Sequence, residues 1–161
     1  MNKAVFLDRD GIIKRERGDY TFRMEDFQFV EGIIENIGLL KKNAYLIIVI
    51  SNQGGIGRNR YSKADVEKLH QHMCKLLREH QLVIDEIYYC PHHPSNEYCL
   101  CRKPDSLMLE KAMARFDIDP NRSYFIGDAE RDMDAGRKAG VCTLLVKPNQ
   151  NLRSHINQII R

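Results

Sequence analysis

Short apolar runs rich in β-branched and aromatic residues recur along the chain, separated by segments that contain polar residues and glycine. Such runs are typical of strands that are buried on both faces of a parallel sheet. They predict five strands, at residues 4–7, 45–50, 84–89, 124–126 and 143–146.

Between the predicted strands, apolar residues recur at intervals of three and four positions, which indicates amphipathic helices. The positions are Ile33, Ile34, Ile37 and Leu40, then Val66, Leu69, Met73 and Leu76 behind a cap at Ser62, then Leu109, Ala112, Met113 and Phe116. A shorter helix is predicted over residues 132–139. Because each parallel connection needs a crossover, this alternation predicts a three-layer, Rossmann-like α/β domain with a mostly parallel five-stranded sheet.

The length of 161 residues fits one compact domain, which we expect to span residues 1–161. Within it, residues 90–101 form a loop inserted after the third strand. The polar tail 149–161 carries a weak apolar pattern at Leu152, Ile156 and Ile159, so it is either a docked helix or loose.

The composition narrows the classes of partner. The formal net charge of +3 is too small to indicate a nucleic-acid surface. No apolar run approaches the roughly 20 residues that span a bilayer, and the chain starts without a signal-peptide pattern. We therefore expect a cytoplasmic protein whose partner is a small molecule, with neither nucleic acid nor a membrane involved.

Polar clusters follow four of the predicted strands, at residues 8–11, 51–57, 90–103 and 127–134. Ligands of open parallel sheets bind at the carboxyl ends of the strands. The sequence therefore predicts one site to which four loops contribute.

Two carboxylates two residues apart, Asp8 and Asp10, come directly after the first strand, with Gly11 to allow a sharp turn. Such a pair can divide the work of phosphoryl transfer. Asp8 can attack phosphorus, while Asp10 can protonate the leaving alcohol and later activate water. Taken alone, the pair could equally be a solvated acidic turn.

A magnesium site is predicted beside this pair, because magnesium prefers oxygen ligands and keeps several waters. Asp128 follows the fourth strand and completes the predicted ligands Asp8 and Asp10, with a backbone carbonyl contributing. Asp132 and Asp134 either support the metal ligands from behind or are negative charges near a helix start, and we favour the second interpretation.

A hydroxyl and a cation are also needed on the phosphate oxygens, because phosphoryl transfer is mainly positioning and charge neutralisation. Ser51 ends the second strand, and Lys103 is biased away from helix by Pro104. We predict that both act in catalysis.

The cysteines and histidines of residues 90–101 have the ligand types and crowding of a closed tetrahedral zinc site. The predicted ligands are Cys90, His92, Cys99 and Cys101, with His93 as an alternative to His92. With no position open for water, this zinc would be structural and would staple the loop. The alternative is a set of thiols with a redox role. The remaining cysteines, Cys74 and Cys142, are predicted to be ordinary packing residues.

These motifs resemble the haloacid dehalogenase superfamily, whose signature is an aspartate pair, a Ser or Thr, a lysine and an acidic motif after successive strands. Asp8 and Asp10, Ser51, Lys103 and Asp128 fill these places in order. The zinc loop and the segment 101–104 resemble the branch that acts on heptose bisphosphates and histidinol phosphate. The resemblance covers about residues 3 to 147.

The resemblance implies a capless, magnesium-dependent phosphatase of monomer size with an aspartyl-phosphate intermediate at Asp8. It implies substrate contacts from Glu16, Arg17, Gly18, Asp19, Asn52, Gln53, Gly54 and Arg102. Two positions depart from the pattern: Ile12 replaces a threonine or valine, and Ala129 replaces a lysine carried by heptose enzymes.

The expected substrate is a sugar phosphate, and the cationic and amide residues around the predicted mouth favour a bisphosphate. These residues are Arg17, Gln53, Arg58, Arg60 and Arg102. The resemblance implies a heptose 1,7-bisphosphate that is cleaved at C7. Histidinol phosphate is the alternative substrate. A phosphotransferase with the same residues and a non-catalytic zinc-binding module are the alternative functions.

Overall fold

The five apolar runs form the strands of one sheet in the computed structural model, which describes residues 1–161. The strands are β1 (Lys3–Leu7), β2 (Tyr45–Asn52), β3 (Glu86–Cys90), β4 (Tyr124–Gly127) and β5 (Cys142–Leu145). Their order is β3-β2-β1-β4-β5, and all neighbouring strands are parallel. The predicted α/β class is confirmed.

Both faces of the sheet are buried, which explains why the strands read as continuous apolar runs. Successive side chains of a strand point to opposite faces. Val5 and Leu7 of β1 belong to a core cluster of 18 buried residues, whereas Ala4 and Phe6 belong to a second cluster of 12 on the other face. This alternation makes β1 a rigid central strand beneath the residues that follow it.

Five helices cover the two faces. They are α1 (Ile33–Lys42), α2 (Lys63–Glu79), α3 (Leu107–Phe116), α4 (Glu130–Ala139) and α5 (Arg153–Ile159). The predicted cap at Ser62 is confirmed: its Oγ accepts from the Asp65 N–H at 3.1 Å, and the Asp65 carboxylate accepts from the Ser62 N–H. Between β1 and α1 the chain contains only a short 3₁₀ helix, Met24–Asp26, and no cap domain.

The tail is a docked helix, which decides between the two forms predicted for it. Leu152, Ile156 and Ile159 are all buried in the larger core cluster, and the Tyr45 hydroxyl donates to the Ile159 carbonyl at 3.2 Å. The packing prediction was wrong for Cys142, which is exposed because β5 is an edge strand. None of the helices is both long and apolar enough to cross a membrane.

Candidate active site

Asp8 leaves the carboxyl end of β1 at the centre of the sheet, between β2 and β4. Its N–H donates to the Ile126 carbonyl at 3.1 Å, and the residue is 5% exposed. Gly11 turns the chain with φ of +83°, and a Cβ there would collide with the Asp128 carboxylate. The glycine therefore permits both the turn and the close approach of two strand ends.

Lys103 is buried beside Asp8, where its ammonium group pairs with two carboxylates and donates a hydrogen bond to one carbonyl. Its Nζ lies 3.0 Å from Asp8 Oδ1, 2.7 Å from Asp132 Oδ1 and 2.9 Å from the Ile50 carbonyl. Burial raises the pKa of Asp8 to about 7, although the charge of Lys103 opposes this. The lysine thus fixes one oxygen of Asp8 and leaves Oδ2 without a hydrogen bond.

Asp132 has a larger role than the charge near a helix start that we favoured from the sequence. It is completely buried and bonds to Lys103 through Oδ1, while its Oδ2 accepts from the Ala129 N–H at 3.1 Å at the start of α4. Its side chain packs against Gly127, where a Cβ would overlap it. Asp134 lies beyond the first turn of α4 and forms an exposed pair with Arg137.

Three carboxylates converge at the strand ends: ligand atoms of Asp8, Asp128 and Asp132 lie within 4.8 Å of one another. Asp132 Oδ1 forms an ion pair with Lys103 and its Oδ2 accepts from the Ala129 N–H, whereas Asp8 Oδ2 and the Asp128 carboxylate have no hydrogen bond or ion pair. Burial, and then the charge of Asp132, raises the pKa of Asp128. A divalent cation fits this set, because it supplies positive charge to the carboxylate oxygens of Asp8 and Asp128 that accept no hydrogen bond.

The Asp10 carboxylate lies outside this group, although it was predicted as a magnesium ligand. Arg9 binds it at 3.1 Å, Lys14 binds it at 3.0 Å, and the Gln53 amide donates to it at 3.1 Å. Burial alone would raise the pKa of Asp10, but the charges of Arg9 and Lys14 prevail and lower it to about 2. Its backbone carbonyl accepts no hydrogen bond and remains free for a ligand.

The residues at the carboxyl end of β2 form hydrogen bonds that link the loops of the site. Ser51 is buried, and its Oγ accepts from the Gln53 amide at 2.7 Å. The Asn52 side chain binds the backbone of Lys103 on both sides, at 3.0 and 3.1 Å. Gln53 also accepts from Arg9 and from the Tyr61 hydroxyl. Two of the predicted substrate contacts, Asn52 and Gln53, therefore have their side chains engaged within the chain.

A polar cleft of about 580 Å³ opens beside Asp10. Its lining contains most of the predicted substrate residues: Glu16, Gly18, Asp19, Asn52, Gln53, Gly54 and Arg102. Arg17 is the exception, because its guanidinium pairs with Asp26 at 2.8 Å and does not line the cleft. Arg60 does not line it either, whereas Arg58 does.

The predicted zinc ligands form one cluster. The Cys90 sulfur lies 3.2 Å from that of Cys101, 3.7 Å from that of Cys99 and 3.4 Å from His92 Nδ1. Thiolates that share a tetrahedral zinc at about 2.3 Å lie roughly 3.8 Å apart, so the donor set suits this ion. His93 turns away and bonds to Ser95 at 2.7 Å.

Several residues at the site escaped the sequence reasoning. Arg9 and Lys14 are fully buried against Asp10, and Arg131 lines the cleft from the first turn of α4. Thr21, Tyr20 and His93 line it as well. The position of Arg9 between two motif aspartates was an available signal, because a charged residue there must either face the site or be buried with a partner.

Comparisons with known proteins agree with this geometry. Residues 100–160 match a family model described as HAD-hydrolase-like. The chain is 43% identical over 144 residues to a D-glycero-alpha-D-manno-heptose-1,7-bisphosphate 7-phosphatase of Campylobacter jejuni, covering 89% of this chain and 81% of that protein. It is 39% identical to the D-glycero-beta-D-manno-heptose-1,7-bisphosphate 7-phosphatase of Escherichia coli K12, over 87% of this chain and 76% of that protein.

A solved structure has the same fold. It is a D,D-heptose 1,7-bisphosphate phosphatase from B. bronchiseptica complexed with magnesium and phosphate, with a TM-score of 0.85 and 29% sequence identity. The match covers 97% of this chain and 86% of that chain.

Proposed function

Because the chain belongs to the heptose-1,7-bisphosphate 7-phosphatases of the haloacid-dehalogenase-like hydrolases, we propose that it hydrolyses the C7 phosphate of D-glycero-D-manno-heptose 1,7-bisphosphate. The products are the heptose 1-phosphate and inorganic phosphate. The observation that carries this function is the cluster of Asp8, Lys103 and Asp132 beside an independently held Asp10, which lines a polar cleft that contains four arginines.

Asp8 is the nucleophile. A carboxylate oxygen of Asp8 forms a bond to phosphorus, the bond from phosphorus to the C7 oxygen breaks, and its electron pair stays on that oxygen. The oxygen takes a proton from Asp10, whose carboxyl group is protonated once the dianionic phosphate lies beside it and opposes its ionised form. Water then attacks phosphorus and gives a proton back to Asp10, and the bond between phosphorus and Asp8 breaks to restore the carboxylate.

The transferring phosphoryl group is bound by donors that the chain leaves free or can redirect. Lys103 supplies a cation next to Asp8, and Ser51 supplies a hydroxyl at the carboxyl end of the neighbouring strand β2. The backbone N–H groups of Asp10 and Gly54 donate no hydrogen bond within the chain. Such fixed donors stabilise charge on the phosphoryl oxygens without reorganising during the reaction.

Asp8, Asp128 and the carbonyl of Asp10 are the groups that would hold magnesium, with Asp132 positioning Lys103 beside them. The ion neutralises charge on the phosphoryl oxygens when it is bound. Asp10 serves through its backbone here, because its carboxylate is held by Arg9 and Lys14.

Zinc at Cys90, His92, Cys99 and Cys101 has a structural role. All four ligand positions come from the chain, so no open position remains for water. The Cys101 ligand directly precedes Arg102 and Lys103, so the staple fixes the segment that carries the active-site lysine.

The remote part of the substrate is recognised by the arginines of the cleft. Arg58, Arg102 and Arg131 line it together with the acidic Glu16 and Asp19. A second phosphate dianion suits cationic donors of this kind. Ala129 lacks the lysine that heptose enzymes carry at this position, and Arg131, two residues later, supplies a cation instead.

Every group in the site comes from one chain, which supports action as a monomer. The thiol-rich zinc cluster supports a reducing, cytoplasmic setting.

A side-by-side assay tests this function. Purified protein with magnesium is given heptose 1,7-bisphosphate or histidinol phosphate at equal concentrations, and phosphate release is measured together with ³¹P NMR of the sugar product. We expect the bisphosphate to be the better substrate and the heptose 1-phosphate to accumulate. Faster hydrolysis of histidinol phosphate, or release of the C1 phosphate, would contradict the proposal.

A further inference from the structure

Lys14 is a completely buried lysine whose ammonium group reaches the active site. Its Nζ lies 3.0 Å from Asp10 Oδ1 and 2.6 Å from Thr21 Oγ1. Its side chain is 0% exposed. An ammonium group is strongly hydrated, so burying it is costly unless the partner groups are well placed. The two partners here are Asp10, which is both the acid and the base of the proposed reaction, and Thr21, which lines the cleft.

The turn after β1 fixes this contact. The Gly11 N–H donates to the Lys14 carbonyl at 2.7 Å, and the Lys14 N–H donates to the Arg9 carbonyl at 2.9 Å. These two bonds fold the chain back on itself, so that the side chain of Lys14 returns to Asp10 four residues earlier. A backbone-defined turn gives the ammonium group one position rather than many.

The two buried lysines of the site have separate partners. Lys103 is bound by Asp8 and Asp132, on the side of the nucleophile. Lys14 is bound by Asp10, on the side where the leaving alcohol departs. Arg9 and Gln53 also contact Asp10, so its carboxylate is held from three directions.

We propose that Lys14 is a positioning residue for Asp10, which orients its carboxyl group towards the leaving oxygen. The inference rests on the proposed function, in which the leaving oxygen takes its proton from Asp10. The ammonium group of Lys14 lies 3.0 Å from Asp10 Oδ1, so it fixes the direction of that carboxyl group. Through Thr21, the same ammonium group ties Asp10 to the loop that lines the cleft.

The choice of leaving group separates this role from a merely structural one. An alkoxide is a poor leaving group and needs the proton of Asp10, whereas p-nitrophenolate leaves without one. The parameter kcat/KM reports the steps up to loss of the leaving group. The ratio of kcat/KM for an alkyl phosphate to kcat/KM for p-nitrophenyl phosphate therefore measures proton donation, while a general loss of folded protein cancels out.

The experiment compares wild type with Lys14→Met, which keeps the length of the side chain and removes its charge. Removing the charge also raises the pKa of Asp10, which moves the pH profile of the alkyl-to-aryl ratio to higher pH. General acid catalysis contributes about 10² to 10⁴-fold, so loss of orientation should lower the maximum of that profile by about tenfold or more. The matched control is Lys41→Met, because Lys41 also pairs with an aspartate, Asp85, at 2.8 Å, but at the opposite end of the sheet. This variant should keep the wild-type ratio.

Two further variants complete the test. In an Asp10→Asn background, adding Lys14→Met should not lower the ratio further, because the group through which Lys14 acts has been removed. Lys14→Gln, which keeps a polar group, replaces Lys14→Met if that variant does not fold, with the same fall expected. An unchanged or raised maximum of this ratio in the pH profile of the Lys14 variant would overturn the proposal. Absence of hydrolysis of either ester by the wild-type protein would overturn the proposed function together with it.

Discussion

The guanidinium group of Arg102 donates a hydrogen bond to the backbone carbonyl of His92 over 3.0 Å. His92 belongs to the Cys/His cluster, and Arg102 lines the cleft. The proposed zinc site and the proposed contact with the remote end of the substrate are therefore physically joined. A change at the zinc site should therefore alter the position of Arg102, and a change at Arg102 should alter the zinc loop.

The zinc cluster should be needed for stability. Cys99→Ser removes one thiolate of the cluster, so we expect the protein to lose its zinc and to lose at least about 2 kcal/mol of unfolding free energy, or roughly 4–8 °C in Tm. Metal analysis and thermal unfolding measure the two effects. Cys142→Ser is the control, because this exposed cysteine lies outside the cluster. Equal stability of the two variants, with zinc absent from both, would contradict the structural role.

Arg102 should act on the substrate's remote phosphate and not on the chemistry. Arg102→Ala removes a charged donor whose hydrogen bond is worth about 1.5–3 kcal/mol, so kcat/KM for the bisphosphate should fall by about 10 to 150-fold. Hydrolysis of p-nitrophenyl phosphate should change by less than about threefold.

The matched control for Arg102 is Arg17→Ala. Arg17 was also predicted to contact substrate, but it pairs with Asp26 away from the cleft. We expect its kcat/KM for the bisphosphate to stay near that of the wild type. A larger loss in Arg17→Ala than in Arg102→Ala would place the remote phosphate elsewhere.

Much of the fold could be predicted from the sequence because its signals are local. A strand such as β2 is buried on both faces, so its apolar run predicts its position without knowledge of the neighbouring strands. The capping box of Ser62 is equally local, since both of its partners lie within four residues.

The candidate site could not be predicted from the sequence where it depends on tertiary contacts. The pairing of Lys103 with Asp132 joins a loop to a residue of α4 that lies 29 positions later, and nothing in the residues around Asp132 indicates it. Lys14 reaches Asp10 through a turn whose geometry is set by backbone hydrogen bonds rather than by residue type. Arg17 has the charge and the loop position expected of a substrate contact, but its guanidinium forms an ion pair with Asp26.

Asp132 should be far more important for stability than its neighbour Asp134. Asp132→Ala leaves the buried Lys103 with one carboxylate and the Ala129 N–H without its acceptor, so we expect a loss of about 3–5 kcal/mol. Asp134→Ala breaks an exposed pair and should cost less than about 1 kcal/mol. Urea denaturation of both variants measures the difference. Similar losses would show that the buried pair does not hold this part of the site.

His70 should make the folded protein sensitive to acid. Burial, and then the charge of Arg9, lowers the pKa of His70 to about 3, while Asp10 opposes the shift. An unfolded histidine takes up its proton near pH ~6.5, so between these values the unfolded chain binds more protons than the folded one. His70 therefore contributes stability above pH ~6.5 that is lost as the pH falls towards 3, by up to about 1.4 kcal/mol per pH unit.

The slope of unfolding free energy against pH measures this effect. Between pH ~6.5 and ~4 it should be shallower in His70→Gln than in the wild type, because the glutamine oxygen still accepts from Arg9 but takes up no proton. His80→Gln changes an exposed histidine and should leave the slope as it is. Identical slopes in the His70 variant and the wild type would mean that this histidine does not carry the dependence.

The nucleophilic role of Asp8 is the centre of the account, and turnover of the bisphosphate by Asp8→Asn tests it most directly. An amide neither attacks phosphorus well nor binds magnesium as a carboxylate does, so we expect a folded protein whose kcat is reduced by at least about 10³-fold. Circular dichroism establishes that the variant is folded. Retention of a tenth of the wild-type kcat would contradict an aspartyl-phosphate at Asp8.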